Sequence, residues 1–70
     1  MRLEQELGRL RVADEHIARV QSLIQLQLEA VHELKRNGRD AGPAIRLLKE
    51  MRASLEAIVR HRAVIEGLRQ

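Results

Sequence analysis

The sequence has no cysteine, no phenylalanine, tyrosine or tryptophan, and only one proline. Without cysteine, neither a disulfide nor a thiolate-bound zinc can staple the chain. Without aromatics it lacks the side chains that dominate ligand pockets and that stack on single-stranded bases. No apolar run approaches the about 18 residues of a membrane span. The segment Met1-Arg2-Leu3-Glu4-Gln5-Glu6-Leu7 carries acids and no continuous apolar stretch, so no secretory signal is expected. The cytoplasm is the expected address, with no membrane partner. Catalysis also lacks its parts: Ser22 and Ser54 are the only serines and there is no glycine-rich phosphate loop. Neither an enzyme nor a cofactor is expected.

What is present is 70 residues with 44% hydrophobic content, enough for one folded domain over 1–70 and too little for two. A core of this size rarely supplies more than about 3–5 kcal/mol, and chains below about 80 residues commonly add a disulfide, a metal or a partner. With thiol chemistry closed, self-association is the expected remedy, and the chain's first expected partner is a second copy of itself.

Leu3, Leu10, Ile17, Ile24 and Val31 follow one another at seven-residue intervals, and the column three residues on reads Glu6, Ala13, Val20, Gln27, Leu34. Such columns share one helix face, and a seven-residue repeat implies gentle left-handed supercoiling against a neighbour. The second half repeats the device with Ala44, Met51, Ile58 and Ile65, accompanied by Leu48 and Leu55 in a column that ends in Arg62 and Arg69. Leu47 and Leu68 flank that face, giving the broader stripe of a globular bundle. Between the halves, Asn37-Gly38-Arg39-Asp40-Ala41-Gly42-Pro43 gathers the helix-ending residues. Lys35 and Arg36 suit the carbonyl end of the first helix, and Asn37 or Gly38 can take the left-handed conformation that closes it. Asp40 is one candidate N-cap for the second helix; Gly42, ahead of a start at Pro43, is the other.

The expectation is an all-α antiparallel hairpin with helices over about 2–36 and 41–69 and a turn at 37–43, dimerising into a four-helix bundle. Folding back around Arg39 sets Val31 against Leu48, Ile24 against Leu55, Ile17 against Arg62, and Leu10 against Leu68 or Arg69. Asp14 then comes within reach of Arg62. The first helix should overhang by about a turn, being roughly 52 Å long against about 43 Å. Leu23, Leu26 and Ala30 add a second apolar strip that one partner helix cannot cover. The residues expected at the core or dimer interface are Leu10, Ile17, Val20, Leu23, Ile24, Leu26, Val31, Leu34, Leu48, Met51, Leu55, Ile58 and Ile65.

Charge is divided unevenly. Residues 1–36 hold six basic and six acidic side chains, whereas 41–70 hold six against three, so the net charge of +3 sits on the second half. Arg46, Lys49, Arg52 and Arg60 form a candidate basic strip for nucleic-acid phosphates, although Glu50 and Glu56 interleave it. Glu15/Arg19, Arg46/Glu50, Arg52/Glu56 and Glu56/Arg60 have the i,i+4 spacing of a solvated, charge-laddered face. His16 and His61 should lie near each other across the hairpin, but no His-x-x-x-His or Glu-x-x-His spacing supports a metal site, and none is expected. His32 falls in a polar column and is expected to be exposed.

His16-Ile17-Ala18-Arg19, then Gly38-Arg39-Asp40, Ala44 and Leu47-Leu48, resembles a set of short bacterial helical-hairpin proteins. Their pattern runs His-Ile-Ala, then Gly-x-Asp-Thr-x-x-Ala-x-x-Leu-Leu. The likeness covers roughly residues 16–60, with Ala41 in the usual threonine position and about one extra heptad between the two motifs. It implies the hairpin fold and no particular activity. In architecture alone the chain also resembles Rop, a dimeric hairpin that binds paired RNA loops. The expected function is therefore a homodimeric scaffold or regulatory adaptor working through protein contacts, with a Rop-like RNA-binding dimer as the alternative.

Overall fold

A computed structural model describes residues 2–68 as two α-helices, α1 (Arg2–Arg36) and α2 (Gly42–Leu68), with no strand among the described residues. The protein is an all-α hairpin; α1 has the expected bounds, α2 begins one residue later than expected, and its expected end at 69 lies outside the described residues. Arg69, one of two candidates to face Leu10, lies outside the described residues. The hairpin measures 55 × 14 × 12 Å, with a radius of gyration of 16.2 Å. A compact globule of this length would have about 11 Å, so the molecule is a rod one helix thick.

The turn is built by hydrogen bonds that complete the end of α1. Asn37 N–H donates to the Glu33 carbonyl at 3.1 Å, closing the last helical turn. Gly38 N–H then donates to the Lys35 carbonyl at 3.1 Å and Arg39 N–H to the Leu34 carbonyl at 2.9 Å. This crossed pair is the Schellman arrangement, and it requires the left-handed backbone that Gly38 supplies at φ 68°. At the start of α2, the Asp40 carboxylate accepts from Gly42 N–H at 2.9 Å, and the Ala41 carbonyl accepts the first helical bond from Ile45 N–H at 2.9 Å. Asp40 thus does the capping, one residue further from the helix than expected, and Pro43 sits in the first turn, where a missing N–H costs nothing.

The packing seam follows the two heptad columns. Val31, Ala41 and Leu48 form its buried centre beside the turn, flanked by Ile24, Leu28, Leu34, Ala44 and Ile45. At the open end Leu10, Ala13 and Ile65 are buried. Leu68 is 66% exposed, and Ile65 is the residue that α2 buries at Leu10's end. Leu3 begins the strict column of α1 yet is exposed, as is Leu7, because α1 overhangs. Ala41 was not expected in the core. Its position seven residues before Leu48 extends the Leu48–Leu55 column into the turn, and its small side chain fits beneath Val31.

Because a Cβ on Gly38 meets no atom within 4 Å, any cost of replacing it is purely a backbone cost. Gly38→Val should destabilise the hairpin by about 1–2 kcal/mol, and Gly38→Asn by clearly less, since asparagine tolerates left-handed angles. Urea melts followed by far-UV circular dichroism at one protein concentration check this. Equal midpoints for Val and Gly would show that this turn does not limit stability.

Candidate interaction surface

The two helices leave two broad faces, and they differ. On one, at the open end, an open groove of about 980 Å³ runs between the helices, floored by Gly8, Val12, Ala13, Ala57, Ile58 and Ile65. Gly8, Ala13 and Ala57 carry little or no side chain, and this leaves the trough. His16 and His61 both line the groove, so they share one site as expected. Among the described residues no group of three or more His, Cys, Asp or Glu is arranged to hold a metal. His32 is exposed.

The other end of the same face projects instead of receding. His16 shares its heptad column with Leu23 and Ala30, Val12 with Leu26, and His61 with Leu47, so the groove and these side chains point the same way. Leu23 is 48% exposed, Leu26 61% and Leu47 47%. Leu23 and Leu26, expected in an interface, are therefore not covered by α2. Of the other residues expected at the core or interface, Leu10, Val31, Leu48 and Ile65 are buried, and Ile17, Val20, Ile24, Leu34, Met51, Leu55 and Ile58 are partly buried along the seam.

On the opposite face, where Leu7 and Val59 are exposed, the Arg62 guanidinium donates from Nε to Oδ1 of Asp14 across the hairpin. The hydrogen bond to Asp14, together with its charge, raises the Arg62 pKa above the ordinary arginine value, so this cation stays protonated at any pH at which the protein is handled. Near the turn, Gln27 Nε2 donates to the Ala44 carbonyl at 3.0 Å. These two polar ties cross the seam far apart, one at each end.

Arg46, Lys49, Arg52 and Arg60 are all exposed. Their columns lie on the side of α2 turned away from the groove. The expected charge ladder does not close: among the described residues the ion pairs within α1 are Arg2–Glu6 at 3.8 Å and Arg36–Glu33 at 2.9 Å, and none involves the four cations of α2. Exposed pairs of this kind gain only a few tenths of a kcal/mol, too little to hold two long side chains together.

Arg62 occupies a column otherwise apolar from Ala41 to Leu55, so its charge serves register better than cohesion. Arg62→Leu should melt at the same temperature as the parent protein or higher, and should give more heterogeneous assemblies by light scattering and cross-linking. If Arg62→Leu unfolds the protein while Asp14→Ala leaves it unchanged, Arg62 must serve some group other than Asp14.

No helix among the described residues is long and apolar enough to cross a membrane. No protein-family model, curated protein or solved structure matches the chain.

Proposed function

We propose that the chain is a self-associating helical module, a homodimeric scaffold or adaptor whose product is a protein–protein contact rather than a chemical transformation. The supporting observation is the amount of surface left open. The hairpin exposes 5512 Å² at a mass of 8.1 kDa, about 1000 Å² more than a compact monomer of that mass. A standard interface buries about 800 Å² per partner, so the excess is the right size for one. It is also apolar where it matters, since Leu23, Leu26 and Leu47 are exposed on one face. A second copy would supply the third and fourth helices that a two-helix seam lacks.

Light scattering with refractive-index detection, chosen because the chain has no tyrosine or tryptophan to absorb, should return twice the 8.1 kDa chain mass at micromolar concentration. A fully helical monomer at that concentration would sink the reading.

A second reading, RNA binding by the dimer, is favoured by one observation: Arg46, Lys49, Arg52 and Arg60 are exposed, without ion-pair partners and on the side of α2 away from the groove. Phosphate binding releases counterions, so RNA held this way should dissociate steeply as salt rises, and replacing the four cations with glutamine should abolish retention at low salt. Protein purified at low salt without bound RNA, and showing no salt-dependent shift with added structured RNA, rules the second reading out and leaves the first untouched.

A further inference from the structure

The apolar face is divided into a receding half and a projecting half, and that division determines how a second copy can sit on it. We infer that two hairpins pack face to face with their turns at opposite ends, so that the leucine ridge of each fills the groove of the other. This rests on the self-association proposed above and adds its geometry.

A two-fold axis across the helices places the groove of one copy over the ridge of the other, and does so twice. The axis lies midway between Val12 and Leu26, close to Arg19 on α1, and crosses α2 at the level that the Asp14–Arg62 pairing sets opposite Arg19, near Ala57, which brings Leu47 over the Ile65 end of the second copy's groove. Each Arg19 then lies beside the axis with Glu15 of its own helix one turn away. The two Arg19 side chains, which share the Val12–Leu26 column, come close to each other at the axis, so the arrangement is recommended by shape and not by charge. The alternative two-fold axis, parallel to the helices, brings the turns to the same end. It stacks groove on groove and ridge on ridge, leaving two troughs of about 980 Å³ facing each other unfilled. Apolar surface left without contacting atoms loses its dispersion energy, so the opposed arrangement is the better packed.

Because the chain has no cysteine, a single Arg39→Cys substitution in the exposed turn carries a spin label at one defined place. Arg39 lies twenty residues from the axis at Arg19, so two labels in the opposed dimer should be about 60 Å apart, at about 1.5 Å rise per residue. Turns at the same end would put them within about 25 Å, the depth of two packed helix layers and their labels. Pulsed electron-paramagnetic-resonance distances, paired with light scattering on the same sample, distinguish the outcomes. The long distance in a particle of twice the chain mass supports the inference. A dimer with the short distance overturns the opposed arrangement and leaves self-association standing, whereas a monomer overturns both.

The face itself is tested separately. Leu26→Glu should weaken the dimer at least about tenfold in Kd, because it buries an unpaired charge, while Val59→Glu on the opposite face should not. Both sites are exposed in the single hairpin, so helicity should survive in each variant. Equal dimer affinity for Leu26→Glu and the parent protein would overturn the assignment of this face.

Discussion

Two helices lying side by side touch along a single strip, and nearly every feature of this protein answers to how little that strip can bury. The most deeply placed side chain, Val31, still has 3% of its surface exposed. The core clusters beside the turn, where Ala41 closes it from below, and thins towards the open end, where Leu10, Ala13 and Ile65 are the buried residues. A chain with 44% hydrophobic content cannot hide that much apolar surface in one seam. Most of what remains visible lies on one face, with Leu23, Leu26 and Leu47, while Leu7 and Val59 are exposed on the other.

A heptad seam is also ambiguous. Sliding one helix by seven residues returns leucine to leucine, so the apolar columns alone do not fix the register. Three features do not repeat and therefore break the degeneracy. The turn is short and its end is set by the left-handed Gly38. Gln27 puts a single amide into the core column of α1 between Val20 and Leu34, and it reaches the Ala44 carbonyl. Asp14 and Arg62 meet at the far end, and sliding α2 so that Leu55 replaces Arg62 would leave Asp14 against an apolar neighbour without a countercharge. Both ties replace apolar residues in the columns of the seam or beside it, exchanging some burial for a single arrangement.

Much of this was legible in the sequence because heptad columns and turn residues are local signals. The helix limits, the antiparallel pairing, the closure at Gly38 and the reach of Asp14 to Arg62 all follow from spacing. Leu23, Leu26 and Ala30 could be recognised as lying outside the seam from column position alone. Less visible were features that depend on how far the partner helix extends. Leu3 belongs to the strict column but has no described helix opposite it, and Leu68 is left outside while Ile65 is buried. Ala41 was read as part of the turn, although its column with Leu48 marks it as core. The groove was hidden because it arises from absent volume: Gly8, Ala13 and Ala57 are unremarkable singly, and only their convergence across two helices makes a trough. The charge ladder failed for a different reason, since spacing permits an exposed ion pair without making it favourable.

The two functional readings place their demands on different sides of the rod. Self-association would use the groove and leucine face, where the cations are Arg9 and Arg11 at the groove and Arg19 beside the proposed axis. The cations Arg46, Lys49, Arg52 and Arg60 lie on the other side of α2 and remain exposed whichever way two copies stack on that face. In the opposed arrangement α2 of each copy packs against α2 of the other by its groove-side columns, so each basic strip stays on the side of the dimer away from the contact. Each strip offers four cations diluted by Glu50 and Glu56. Self-association and polyanion binding are thus separable demands on this chain, one made of the leucine face and the other of the far side of α2.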